Sequence, residues 1–169
     1  MIPALVRQAG LLFKPSGRNI EMVLTLDRAK QAIDAAVRHA KELYILSMIA
    51  IVDENGWLVA LHKMDGALIP TVDIARDKAW TAAVFKIPSS DISKFGAPSS
   101  PGLGLNTANW NDRLTIIPGG LPIKGSNGII GGVGVSGGTP EEDISVCQAA
   151  IANIFTSGSN KREKKSDFK

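Results

Sequence analysis

The chain is poor in the residues that most often carry chemistry. Its 169 residues include one cysteine, Cys147, and two histidines, His39 and His62. A single thiol excludes an internal disulfide framework and fits a reducing compartment, so a cytoplasmic location is expected. C-x-x-C, H-E-x-x-H and P-loop motifs are missing. A Ser-His-Asp arrangement would have to use one of the two imidazoles. The nearest approach to a nucleophile elbow, Gly134-Val-Ser136-Gly-Gly, lacks the final spacing. No apolar run approaches the roughly 18 residues that a membrane span needs, so no membrane partner is expected. The net charge is only +3, and much of the excess lies in Lys161, Arg162, Lys164, Lys165 and Lys169. The rest is nearly neutral, without a basic face interleaved with aromatics, which argues against a nucleic-acid partner.

What remains is an ordinary globular composition, 44% hydrophobic and 21% charged, in a chain long enough for a substantial core. Residues 1–21 read as an N-terminal arm or extension. Residues 22–156 read as a single domain, and residues 157–169 as a basic flexible tail. Thr25 caps a first helix running to about Tyr44, with Ala29, Ile33, Ala36, Val37 and Ala40 inward. His39 falls off that face and reads as solvated. The run Ile45 to Val52, the Asn55-Gly56 signal and Trp57 to Met64 form a hairpin. Both strands are apolar on both faces, which predicts cover on both sides. A helix from Thr71 to Lys86 is rich in small residues. Its Lys78 could meet a carboxylate at a pocket mouth. A loop-rich segment with a short helix leads to Asn106, Thr107, Asn109, Asn111 and Arg113, a cluster of polar donors with one cation. Short strands are expected at Leu114 to Ile117 and Leu121 to Lys124.

The most structured stretch is Gly128 to Ile154. Ile129 to Val135 reads as a strand whose glycines imply close approach of a neighbouring backbone. Thr139, Pro140 and Glu142 then form a capping box, and Ile144, Cys147, Ile151 and Ile154 give one apolar stripe. Gly132 to Gly137 matches G-x-G-x-x-G, but the helix starts after the last glycine and opens with Glu141, Glu142 and Asp143. Three carboxylates there repel a pyrophosphate, which argues against a dinucleotide site. Cys147, on the stripe, reads as a buried, inert thiol. His62 fits either a core histidine or a strand-end ligand. It is the best single candidate for a metal or haem iron, because neutral imidazole is the usual axial donor.

Three segments, in this order and spacing, carry a resemblance. They are Met64-Asp-Gly-Ala67 with Asp73 to Ala82, then Pro118-Gly-Gly-Leu-Pro122, then Gly131 to Asp143. Together they resemble the GlcG/HbpS-like family, which includes the C-terminal domain of the PduO corrinoid adenosyltransferase. The adenosyltransferase activity belongs to a separate N-terminal domain, so it does not transfer. The resemblance implies an α+β fold: a mainly antiparallel five-stranded sheet with helices on both faces, broadly profilin-like. The expected order is α-β-β-α-α-β-β-β-α. It also implies a homodimer or higher homo-oligomer. Some members bind haem; others accompany glycolate, diol or glycerol metabolism. The expectation is therefore an oligomeric small-ligand-binding protein for haem or a related anionic tetrapyrrole. His62 would be the ligand to haem iron, and Lys78 or Arg113 would pair with carboxylates. The alternative is a small-molecule enzyme or accessory protein in hydroxy-acid, diol or glycerol metabolism. Lys78, Asp65 or the Asn109 to Arg113 loop would then supply acid, base and anchor.

Overall fold

The computed structural model describes residues 23–95 and 112–155. The N-terminal arm, the basic tail, Asn106, Thr107, Asn109 and Asn111 lie outside the described residues. Helix α1 spans Leu26–Glu42, and its cap Thr25 accepts from the Arg28 N–H through its hydroxyl at 3.2 Å. Strands β1 (Met48–Asp53) and β2 (Leu58–Lys63) follow, then helix α2 (Thr71–Phe85) and a 3-10 turn at Ser89–Phe95. Strands β3 (Gly120–Gly125) and β4 (Gly128–Ser136) lead into helix α3 (Pro140–Ala152). The strands form one antiparallel sheet in the order β2-β1-β4-β3.

Alternation along the strands splits the core into two layers. Ile49, Ile51, Val133, Val135 and Ile123 pack with α1 and α3 residues such as Ile33, Ala36, Val146 and Cys147. Met48, Ala50 and Val52 pack instead against Ala75, Ala79 and Ala83 of α2. Helices thus cover both faces of the sheet, as expected.

The fifth strand does not form among the described residues. Leu114 to Ile117 is unpaired because side chains satisfy its backbone. The Thr81 hydroxyl donates to the Arg113 carbonyl at 3.2 Å and accepts from the Thr115 N–H at 3.1 Å. The Ser89 hydroxyl likewise donates to the Ile117 carbonyl at 2.6 Å and accepts from the Gly120 N–H at 3.0 Å. These bonds replace a ladder. The order is therefore α-β-β-α, a 3-10 turn, then β-β-α. Strand β2 is also less covered than its composition predicts. It is an edge strand, and Leu58, His62 and Lys63 are exposed.

Helix α2 lies unusually close to β4. A Cβ placed on Gly134 would run into the Ala75 carbonyl, and one on Gly132 into the Ala79 carbonyl. Backbone faces backbone here, with alanine on one side and glycine on the other. The absent side chains are the reason for the short separation. Gly134→Ala should therefore force α2 off the sheet and cost about 1–3 kcal/mol. Urea unfolding followed by circular dichroism measures this, and an unchanged midpoint would contradict the packing argument.

Candidate functional site

The end of α1 and the end of β2 enclose an open groove of about 590 Å³. Val37, Lys41, Tyr44, Ile45, Leu46, His62, Lys63, Met64 and Asp65 line it. Its position follows from strand register. His62 pairs with Ile49, whose side chain belongs to the α1 layer, so the imidazole lies on the α1 side of the sheet. At the edge strand it meets solvent instead of core. Between the two readings of His62, core histidine or strand-end position, the structure places it at the strand end, exposed.

Tyr44 forms part of the groove through an unusual backbone. Helix α1 ends in a Schellman closure: the Tyr44 N–H donates to the Lys41 carbonyl at 3.1 Å and the Ile45 N–H to the Ala40 carbonyl at 3.0 Å. That closure needs a left-handed residue, and Tyr44 takes it at φ 58°. Glycine is the usual occupant. Tyrosine pays a steric penalty of about 1–2 kcal/mol there while its side chain stays 95% exposed. An aromatic ring held in an unfavourable backbone beside a groove has no role in the core.

The other expected site residues lie elsewhere. Lys78 is 1% exposed and does not stand at a pocket mouth. Its ammonium donates to the Asp143 carboxylate and to the Val135 carbonyl, each at 2.7 Å. Asp143 Oδ1 accepts from the Gly138 N–H at 3.0 Å, so both carboxylate oxygens are engaged. Burial pushes the Asp143 carboxyl up, and the Lys78 hydrogen bond pulls it back only in part. The pair joins α2, on one face of the sheet, to the first turn of α3, on the other. Asp65 lines the groove, so Lys78 and Asp65 do not converge. Arg113 lines a separate pocket with Trp57 and Trp80.

Two further expectations change. His39 is not simply solvated. Its Nε2 lies 2.7 Å from the Ser145 hydroxyl and its Nδ1 3.1 Å from Glu42, so it links α1 to α3. The α3 stripe is turned by one residue: Asp143, Val146, Cys147, Ala150 and Ile154 are buried, while Ile144 and Ile151 are half-buried. Spacings of 3, 4 and 7 from Cys147 could have placed Asp143 inside. Its acidity suggested a role at the helix dipole instead. Cys147 is buried, as expected. Burial drives its thiol well above the ordinary range, and it donates to the Gly119 carbonyl at 3.2 Å. Lys41 and Tyr44 escaped notice in the sequence because only the folded end of α1 brings them beside His62, and Lys63, next to His62 on β2, carried no signal of its own.

The fold and groove define an α+β domain with a ligand-sized apolar cleft at a sheet edge. A family model described as haem degrading protein HbpS-like matches residues 24–152, and the chain belongs to this family. It is 31% identical over 137 residues to the corrinoid adenosyltransferase PduO of Citrobacter freundii, a match that covers 81% of this chain but 41% of that protein. Its structure is similar to that of the Klebsiella pneumoniae protein ORFY, with a TM-score of 0.75 and 31% identity over 85% of this chain and 97% of that one. It is also similar to a PduOC:heme complex, with a TM-score of 0.72 and 30% identity over 78% of this chain and 94% of that one.

Two stability predictions follow from the site geometry. Lys78→Met leaves a buried carboxylate unpaired and should cost about 3–5 kcal/mol, whereas the double variant Lys78→Met, Asp143→Leu should recover much of that loss. A double variant as unstable as the single one, by urea midpoint, would refute the pairing. Tyr44→Gly should raise stability by about 1 kcal/mol. A lower midpoint would mean that the tyrosine ring contributes to the fold after all.

Proposed function

We propose that this chain is an oligomeric small-ligand-binding protein that holds haem or a related tetrapyrrole in the groove beside His62. The observation that carries the proposal is a single cleft whose lining joins His62, a run of apolar residues and the two lysines Lys41 and Lys63. Val37, Ile45, Leu46 and Met64 match an apolar macrocycle. Lys41 and Lys63 match its carboxylates, the role first expected of Lys78 and Arg113. His62 matches the iron, because a neutral imidazole donates a lone pair to it. Bound haem would supply the iron; the chain supplies the donor, the apolar wall and the charge. The groove volume also lies in the range of about 300–1,000 Å³ typical of small-ligand sites. The heme complex of the related PduOC supports haem as the class of ligand.

The groove is open, and Leu46, Leu68 and Ile69 stand exposed around the turn that follows β2. Apolar side chains exposed together mark a surface that gains by being covered. A second copy of the chain is the proposed cover, which makes the binding form a homo-oligomer.

Haemin titration of the purified protein tests the reading. Wild type should give a shifted, saturable Soret band, and His62→Ala should lose the shift. Lys41→Gln and Lys63→Gln should each weaken binding about twofold to fivefold, as partly exposed ion pairs do. Tyr44→Gly should weaken haemin binding although it stabilises the fold. A His62→Ala spectrum identical to that of wild type overturns the assignment of the ligand. A free-haemin spectrum with wild type overturns the function.

A further inference from the structure

A second pocket lies at the opposite end of β2 from the groove. It has a volume of about 420 Å³ and is lined by Asn55, Gly56, Trp57, Trp80, Val84 and Arg113. It shares no lining residue with the His62 groove.

Each wall is held firmly. Asp53 organises the β1–β2 turn: its Oδ1 accepts from the Asn55 and Trp57 N–H groups, both at 2.9 Å, and its carbonyl accepts from the Gly56 N–H at 3.0 Å. Gly56 takes φ +82°, and an added Cβ would lie 2.6 Å from Trp80 Nε1. Glycine is needed there for the conformation and to let the turn rest on the indole. Trp57 is 70% exposed, while Trp80 is 8% exposed and braced edge-on by Phe85 at 6.2 Å. On the far side, Thr81 pins the backbone of Arg113 and Thr115 to α2.

Two groups in this pocket lack partners that such groups normally have. An indole N–H with no protein acceptor is left to water or to a ligand. No described residue accepts from Trp80 Nε1. A half-buried guanidinium usually finds a carboxylate, yet no described carboxylate pairs with Arg113. The neighbouring Asp77 has its Oδ1 3.6 Å from Arg76 Nε, an ion pair without a hydrogen bond. Burial raises the Asp77 carboxyl, while the charges of Arg76 and Arg113 oppose that rise. The pocket therefore presents two indole rings, an unmet N–H donor and a planar cationic fork. The complementary ligand is flat and apolar with an anionic end that accepts hydrogen bonds.

We propose that this pocket binds a small planar carboxylate, with the ring against Trp57 and Trp80 and the carboxylate on Arg113 and the Trp80 N–H. The site is independent of the His62 groove and does not depend on its ligand.

Isothermal titration of the full chain with benzoate tests the proposal, with benzamide as the uncharged isostere. Benzoate should bind saturably at one site per chain, and benzamide at least about tenfold more weakly, because it forfeits the charge-assisted contacts. Arg113→Gln should weaken benzoate about tenfold or more, and Trp57→Ala about fivefold. Equal affinity for benzamide, undiminished affinity in Arg113→Gln, or no saturable benzoate heat each overturns the proposal. Circular dichroism checks that Arg113→Gln is folded. Were it unfolded, the benzoate and benzamide comparison and Trp57→Ala decide the matter. Haemin added to the same preparation gives a separate Soret reading, so failure at one site does not stand for failure at the other.

Discussion

The close seating of α2 on β4 is the constraint on which the rest of the molecule depends. Gly132 and Gly134 remove the side chains that would hold the helix away, and Ala75, Ala79 and Ala83 remove their counterparts. With α2 so low, Lys78 can reach the end of β4 and meet Asp143. The next residues, Trp80 and Thr81, then stand where one forms a pocket wall and the other anchors the Arg113 segment. A shift of α2 by the radius of one methyl group would disturb all three. Cores transmit such displacements because they are packed close to crystal density.

Features decided within a few residues were legible in the sequence. The Thr139 and Glu142 capping box is present as written, with the Glu142 carboxylate accepting from the Thr139 N–H at 2.8 Å. The glycines of β4 do serve backbone approach, and Asn55-Gly56 does turn the chain. Features decided across the fold were not. An apolar β2 does not say whether another strand lies beyond it; here none does among the described residues, and His62 is left facing solvent at an edge. Lys78 and Asp143 are 65 residues apart, and no local pattern couples them. Leu114 to Ile117 has the composition of a strand, but Thr81 and Ser89 hydroxyls took its hydrogen bonds first. The candidate site suffered most, since Lys41 and Tyr44 come from the end of a helix whose exit direction only the Schellman closure sets.

The division of labour among charged groups is physical. A buried ammonium with a carboxylate at 2.7 Å holds elements together and is poorly placed to bind a ligand. Lys41 and Lys63, exposed along the open cleft, remain in contact with water, which under the proposed function they would exchange for an incoming anion. The same residue type thus divides between scaffold and site according to burial.

The lone cysteine gives this arrangement a built-in clock. Cys147 lies on the buried face of α3, and its sulfur is shut off from any reagent in solution while that helix remains docked. A thiol reagent can reach it only during excursions in which α3 lifts, so the labelling rate of the unmodified protein counts those excursions. Local opening of one helix becomes measurable at a single atom, without an introduced probe.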